Sequence, residues 1–181
     1  MMKQKILAGL FLILGFQLSA QAGSLQAVGT DQTIGLNMSH NIFGPLNFDL
    51  SYDHNFQNSS ELITAGLHLD MGLGPVNGMV GVKGYYSEVD DMNSTGYAPG
   101  VGFNVTPIPM FSLAGSYYYS DDRFSDDNDL KRYRDWSVTA NFHPLSLTNL
   151  FVGYGYKSVE MNGSNEVIMN DGPMVGVSLN Y

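Results

Sequence analysis

The sequence ends on Pro173-Met174-Val175-Gly176-Val177-Ser178-Leu179-Asn180-Tyr181, where apolar side chains alternate with small or polar ones. Successive side chains of a β-strand point to opposite faces, so this segment predicts a strand with one apolar and one polar face. Bacterial outer-membrane barrels close on a strand of this kind, with an aromatic last residue. We therefore predict an all-β, antiparallel transmembrane barrel whose membrane-insertion signal is formed by Val175, Val177, Leu179 and Tyr181.

The first residues of the chain have the pattern of an export signal. Lys3 and Lys5 are followed by an apolar run over residues 6–16, and Ala-Gln-Ala at residues 20–22 is a small-x-small cleavage site. A membrane anchor is the alternative, but the run is shorter than the roughly 20 residues that a spanning helix needs. We expect a cleaved signal peptide over residues 1–22 and one barrel domain over residues 23–181.

The composition is typical of a barrel that faces lipid. Charged residues make up 14% of the chain, against about a quarter in a typical globular domain, while aromatic residues reach 12% and glycine occurs 21 times. The absence of cysteine excludes disulfides and thiolate metal sites. The net charge of −9 argues against a nucleic-acid partner, which requires a basic face.

Alternating hydrophobicity and turn residues together predict about ten strands. Most of them have about the 9–11 residues that a tilted strand needs to cross the hydrocarbon. The alternatives are eight strands with an irregular N-terminal segment, or a water-soluble β-sandwich. The predicted strands are 24–29, 32–40, 46–54, 61–71, 76–87, 95–105, 110–120, 132–142, 150–160 and 172–181.

The connections between these strands alternate between two kinds. Tight, proline-marked turns lie at 72–75, 106–109 and 143–145, whereas the connections at 55–60, 88–94, 121–131 and 161–171 are longer and polar. Outer-membrane barrels have short periplasmic turns and longer external loops. This alternation places both termini in the periplasm and requires an even number of strands.

Placing the apolar positions outward gives a lipid face without a charged residue in the middle of any strand. A Lys or Arg at the bilayer midplane would cost about 2–4 kcal/mol. The outward positions include Ile34, Leu36, Met38, Leu50, Ile63, Leu67, Leu69, Val101, Val105, Val138 and Ala140. Aromatic residues form two predicted girdles, one of Tyr52, Tyr86, Tyr97, Tyr117, Tyr119, Trp136 and Tyr156, the other of Phe48, Phe103, Phe111, Phe142 and Tyr181.

The opposite face is polar or small and contains the candidate functional residues. Buried charges persist when they are paired, so these groups either neutralise one another and fill the lumen or form a polar constriction for small solutes. Glycines on this face either leave room for large neighbours such as Tyr85, Tyr118 and Phe151 or leave voids. The predicted lumenal polar network is Asp49, Asp53, His68, Asp70, Lys83, Asp135 and Lys157.

A basic group of Lys131, Arg132 and Arg134 stands just before Trp136, where a predicted loop re-enters the membrane. Guanidinium groups match phosphate oxygens, so we expect contact with lipopolysaccharide phosphates. The alternative is that these cations snorkel at the rim and bind nothing in particular.

Catalytic and metal sites are not indicated. His54 ends a strand at the external rim, but Asp53 points to the other face and no Gly-x-Ser-x-Gly elbow is present. Residues 126–129 resemble a calcium loop, yet counted from Asp127 the sixth residue is Arg132, where that loop requires Gly. We expect no metal, no cofactor and no catalytic residue. The serines predicted near the external rim are Ser59, Ser60, Ser87 and Ser120.

From about Leu73 to Tyr181 the chain resembles the YfaZ-type outer-membrane proteins. The resemblance rests on the order of Leu73-Gly74-Pro75, Gly81-Val82-Lys83-Gly84-Tyr85, Tyr117-Tyr118-Tyr119-Ser120, Gly153-Tyr154-Gly155-Tyr156 and Asp171-Gly172-Pro173. That family has an outer-membrane location and no assigned activity, so the resemblance implies location and fold and no catalytic residue. Tyr181 stands where Phe is the commoner last residue of such barrels.

These observations predict an integral outer-membrane barrel of structural or narrow-channel type without enzymatic activity. Two other function classes stay open: a rim enzyme acting on lipid, and a barrel that binds ligands through loops 121–131 and 161–171. The expected partners are outer-membrane lipid, lipopolysaccharide and, during insertion, the barrel assembly machinery. We expect a monomer.

Overall fold

The computed structural model describes residues 22–89, 92–124, 130–161 and 166–181. The predicted signal peptide and the acidic residues 126–129 lie outside these ranges almost entirely, so both stay predictions. The described residues form ten strands and a short 3-10 helix, Asp122–Phe124, after β7. The strands are β1 (Gly23–Gly29), β2 (Thr33–Phe43), β3 (Leu46–Asn55), β4 (Glu61–Leu73), β5 (Val76–Val89), β6 (Met92–Ile108), β7 (Phe111–Asp121), β8 (Leu130–Leu145), β9 (Thr148–Met161) and β10 (Glu166–Asn180).

The strands form one closed antiparallel barrel in which each strand pairs with its neighbours in sequence. β1 and β10 close the barrel through the partners from Ser24↔Asn180 to Gly29↔Val175. Beyond them, the backbone N–H of Gly23 donates to Tyr181 O at 2.9 Å, and the N–H of Tyr181 donates to Gly23 O at 3.0 Å. The prediction of a ten-stranded barrel is confirmed, and the eight-stranded and sandwich alternatives are wrong.

One end of the barrel, which we term the turn end, carries the two-residue turns 44–45, 74–75, 109–110 and 146–147. Gly44 and Gly74 have φ of 53° and 64°. This left-handed region suits glycine, and a glycine followed by Pro45 or Pro75 matches the first position of a type II′ hairpin turn. The opposite end, the loop end, carries the remaining connections.

Several strands are longer than the sequence predicts. β10 begins at Glu166 rather than at residue 172, so the predicted loop 161–171 is too long. Gly172 and Pro173 suggest a turn locally, but they pair with Gly155 and Tyr154 of β9 and stay within the sheet. β5 and β6 likewise extend into the predicted loop 88–94. Pairing with a neighbouring strand overrides the local turn signal.

The outer face is apolar, as the alternation predicts. Ile63, Leu67, Val101 and Val138 are all exposed on it. Met38 is the exception, since it is only 2% exposed and lies on the wall of the larger cavity described below. The aromatic residues cluster: Trp136 stacks between Tyr154 and Tyr156 near the loop end, with centroid distances of 5.9 and 6.3 Å, and Phe111 contacts Phe142 at 5.0 Å near the turn end. In the described ranges, no helix is both long and apolar enough to cross a membrane.

The buried core lies inside the barrel and is displaced toward the loop end. It consists of the buried residues Leu62, Tyr85, Ala98, Tyr118, Tyr133, Val159 and Met169. Interior glycines make room for the large side chains, as predicted. A Cβ on Gly96 would meet the Tyr85 hydroxyl, one on Gly100 would meet the Tyr118 ring, and one on Gly176 would meet the Phe151 ring.

Candidate functional site: the barrel lumen

Two ion pairs cross the middle of the lumen and form what we term the charged layer. Lys83 Nζ of β5 donates to Asp135 Oδ2 of β8 at 2.9 Å, and Lys157 Nζ of β9 donates to Asp53 Oδ2 of β3 at 2.6 Å. Alternation brings all four side chains to the inner face, and each is at most 19% exposed. Lys83 Nζ also lies 3.9 Å from the centre of the Tyr118 ring, which favours its positive charge.

The His68 group lies between the charged layer and the turn end. His68 Nδ1 is 2.7 Å from Asp49 Oδ2, and His68 Nε2 is 3.5 Å from Asp70 Oδ1. Asn47 donates from Nδ2 to Asp70 Oδ2 at 3.0 Å. The Asp70 carboxylate is about half exposed, at 48%, so the group opens toward the turn end of the lumen.

Two stacked tyrosines fill part of the lumen on the loop-end side of the charged layer, and the larger cavity continues beside them to Thr33 and Asn170 near the loop end. The rings of Tyr85 and Tyr133 stack with a centroid distance of 4.4 Å and an interplanar angle of 10°. Tyr133 donates from its hydroxyl to Asp135 Oδ2 at 3.2 Å and so ties this layer to the charged layer. Leu62 and Met169, both fully buried, pack into the same cluster. We term Tyr85 and Tyr133, together with Tyr118, which lies level with its register partner Asp135, the tyrosine layer.

Two cavities occupy the rest of the lumen. The larger, of about 360 Å³, is lined by the whole charged layer and by Asp49 and His68. The smaller, of about 290 Å³, is lined by Asp70 and Asn77 near the turn end and shares His68 with the larger one. At roughly 30 Å³ per water molecule, the larger cavity has room for about a dozen waters among polar side chains. The lumen is therefore only partly filled by its own side chains.

The basic residues before Trp136 have carboxylate partners within the barrel wall. Lys131 Nζ donates to Glu160 Oε1 at 2.6 Å, and Arg132 Nη2 lies 3.6 Å from Glu160 Oε2. Arg134 Nη2 donates to Glu166 Oε1 at 2.6 Å. Lys131 is the most exposed of the three cations and Arg134 the least.

The candidate rim nucleophiles are mostly inaccessible. Ser60, Ser87 and Ser120 are fully buried inside the loop end. His54 is also buried, packs edge-on against Phe56 at 5.2 Å and places Nδ1 3.9 Å from Glu61. Because they are buried, Ser60, Ser87 and Ser120 have no access to a substrate.

The residues of the proposed insertion signal lie on the outer face of β10. Val175, Val177 and Leu179 are 59%, 39% and 54% exposed. Tyr181 follows β10 directly and pairs with Gly23 through the backbone. These four side chains form a continuous apolar strip beside the β1–β10 seam.

Sequence reasoning missed one central residue of the lumen, Tyr133. It lies two positions before Asp135 and therefore on the same inner face. Strict alternation from Asp135 identifies it. Its stacking on Tyr85 depends on the register of β5 against β8 across the lumen, which no local pattern reports.

A closed antiparallel barrel with an apolar outer face, aromatic clusters toward both ends and a polar interior defines a transmembrane β-barrel protein. The family model described as YfaZ precursor matches residues 2–181, and the chain belongs to this family. The Outer membrane protein YfaZ of Escherichia coli (strain K12) is 29% identical over 185 residues, covering 99% of this chain and 100% of the relative. The protein is accordingly an integral outer-membrane barrel.

Two porins are among the solved structures that resemble this chain. The KdgM porin matches with a TM-score of 0.54 at 10% identity, over 88% of this chain and 99% of that chain. The NanC porin matches with a TM-score of 0.49 at 8% identity, over 88% and 99% of the two chains. At this level of identity the likeness to the KdgM porin shows the barrel fold.

Proposed function

We propose that the protein is a narrow channel of low conductance for small solutes in the outer membrane. The observation that carries this proposal is the partly empty lumen: the two cavities, lined by polar and apolar side chains, extend from the turn end past the charged layer to Thr33 and Asn170 near the loop end. A barrel with a purely structural role has no need of an interior this empty, because small barrels are ordinarily filled by their own side chains.

The tyrosine layer is the constriction of the proposed channel. Tyr85 and Tyr133 stack across the lumen on the loop-end side of the charged layer, and both are almost completely buried. A solute that enters from the turn end meets the charged layer first and the tyrosine layer next. The larger cavity continues beside the stacked rings to Thr33 and Asn170 near the loop end, so the rings narrow the passage, which accounts for a low conductance.

The charges of the lumen favour neutral or cationic solutes over anions. Among the described residues, the inner face carries four carboxylates of the predicted network, and its two lysines are each bound to one of them. In the part of the chain that the structure describes, the other two carboxylates, Asp49 and Asp70, have His68 as their shared ion-pair partner. Carboxylate rings favour cations in channels, and paired lysines offer an anion little attraction.

Single-channel recording in planar bilayers tests the channel. We expect small steps from the wild type and larger steps from Tyr85→Ala, because truncating this ring widens the constriction. Tyr86→Ala is the matched control, since the adjacent side chain faces outward and is exposed. Tyr133→Ala serves as a second widening variant should Tyr85→Ala not fold. An absence of steps from the folded wild type and both widened variants would reject the channel and leave a structural barrel.

The reversal potential under a KCl gradient tests the charge preference. We expect a potential of the sign for cation selectivity, reduced by Asp49→Asn or Asp70→Asn. Asp121→Asn is the control, because Asp121 pairs with Arg123 at the loop end, outside the lumen. Anion selectivity of the wild type would contradict this part of the proposal.

The proposal also covers the orientation of the barrel in the membrane and its partners. The two-residue turns at one end and the long polar connections 56–60 and 122–129 at the other support a periplasmic turn end, and therefore periplasmic termini. Insertion by the barrel assembly machinery through β10, contact of Lys131, Arg132 and Arg134 with lipopolysaccharide, and a monomeric state complete the proposal. It assigns no catalytic residue, metal or cofactor, and the burial of Ser60, Ser87 and Ser120, three of the four rim serines, supports a protein that is not an enzyme.

A further inference from the structure

The last residue of each strand that runs down to a turn is a large apolar side chain. Phe43, Leu73, Ile108 and Leu145 end β2, β4, β6 and β8. They are 67%, 84%, 55% and 68% exposed, and they pair with the first residue of the following strand. Together with Tyr181, which follows β10, they surround the turn end. We term these five residues the turn-end ring.

On β4 the ring continues the lipid face without a polar interruption. On β4, the outward side chains Leu67, Leu69, Met71 and Leu73 are all apolar and exposed, and Leu73 is the last of them. None of the turns 44–45, 74–75, 109–110 and 146–147 contains Asp, Glu, Lys or Arg. At the loop end, by contrast, charged residues such as Asp31, Glu61 and Arg123 stand in or beside the connections.

One backbone carbonyl of each turn is also hydrogen-bonded within the protein. The second residue of each turn accepts a backbone hydrogen bond from a neighbouring strand: Pro45 from Asp70, Pro75 from Thr106, Met110 from His143 and Leu147 from Asn180, all at 2.8 or 2.9 Å. Three of the four turns contain proline, which has no N–H that would need a partner. Polar backbone groups can enter lipid only when they are satisfied within the protein.

We propose that the turn-end ring is embedded in the leaflet on its side of the membrane, where the apolar parts of phospholipids surround it. The turn end of the barrel is then embedded in the lipid, and the charged loop end extends into water. The continuity of the ring with the lipid face on β4, the uncharged turns and the hydrogen-bonded turn carbonyls all favour phospholipid as the occupant. This inference does not depend on whether the lumen conducts.

Tryptophan fluorescence in phospholipid vesicles tests the depth of the ring. Trp136 is the single tryptophan of the chain, so Trp136→Phe gives a background in which one new tryptophan reports one site. Leu73→Trp and Leu145→Trp place the reporter in the ring, and Gln57→Trp places it in the loop after β3, where residue 57 is exposed. The wild type, with Trp136 on the outer face, is the reference for a lipid-facing site.

We expect Leu73→Trp and Leu145→Trp to emit at short wavelength and to lose most of their emission in phospholipids brominated near the glycerol backbone. Gln57→Trp should emit at long wavelength and be quenched by iodide instead. Heat-dependent gel mobility identifies the variants that have folded, and either ring variant suffices. If the folded ring variants respond to iodide as Gln57→Trp does and brominated lipid leaves them unchanged, the ring lies in water and the proposal is wrong.

Discussion

At the scale of single residues, the interior of this barrel is built on pairs of a glycine and a large side chain. The Tyr118 ring occupies the space that a side chain on Gly100 would need, and Phe151 does the same at Gly176. These pairs let aromatic rings lie flat against the wall of a narrow lumen. The tyrosine layer therefore depends on glycines as much as on tyrosines.

Gly100→Ala tests this dependence. Its Cβ would meet the Tyr118 ring and would lie 2.6 Å from the Tyr117 carbonyl oxygen, so we expect overpacking to lower the free energy of unfolding by about 1–3 kcal/mol. Gly84→Ala is the control, because its Cβ meets no atom closer than 3.7 Å. Urea titration in phospholipid vesicles, followed by Trp136 fluorescence, measures both. Equal stabilities for the two variants would contradict the packing described.

The sequence predicts which residues face the lumen better than it predicts their contacts. The seven network residues and their shared face follow from alternation alone. The partner of each lysine does not, because Lys157 reaches Asp53 across the barrel and that pairing depends on strand tilt and side-chain length. For the same reason the stacking of Tyr85 on Tyr133 is visible only in three dimensions.

At the scale of elements, strand existence is predicted well and strand ends less well. All ten strands occur where alternation indicates them, including the short β1 that parity required. The start of β10 differs because Gly172 and Pro173 look like a turn in isolation yet pair with β9, and a bulge between Ile168 and Asn170 adjusts the register. Such compensation is a property of two strands together, which a single segment does not contain.

The lipid face of β8 offers a direct test of strand orientation. Val138 lies between Trp136 and Phe142, hence between the two aromatic bands, and it is exposed. Val138→Arg should lower the free energy of unfolding in bilayers by about 2–4 kcal/mol, because the guanidinium enters the hydrocarbon. Gln57→Arg, in an exposed loop, is the control and should change little. A tolerated Val138→Arg would indicate that this side of β8 does not face lipid.

At the scale of the whole molecule, the two ends differ in charge. The turns are free of charged residues, whereas the loop end carries carboxylates together with the basic group before Trp136. Whether the lumen is filled or open is also a property of the whole molecule. A count of ten strands does not decide between a filled and an open interior, since the outcome depends on which glycines face which rings.

Lipopolysaccharide contact is tested by replacing Lys131, Arg132 and Arg134 together with glutamine. These cations also pair with Glu160 and Glu166, so the variant loses some stability in any membrane. We expect wild-type protein to gain thermal stability when lipopolysaccharide is added to phospholipid bilayers, and the variant to gain less. Arg123→Gln is the control, because Arg123 is an exposed loop-end cation outside this group. An equal gain for wild type and triple variant would reject the contact.

The two backbone hydrogen bonds between Gly23 and Tyr181 hold the first and last residues of the barrel next to each other. Because these residues are neighbours, a short linker can join them and new ends can be cut at a turn such as residues 74–75, which yields a circular permutant of the same barrel. In that permutant, residues 175–181 would stand in the middle of the chain while keeping their place beside β1. The permutant would thereby separate the contribution of residues 175–181 to the stability of the folded barrel from any contribution that they make as a C-terminal insertion signal.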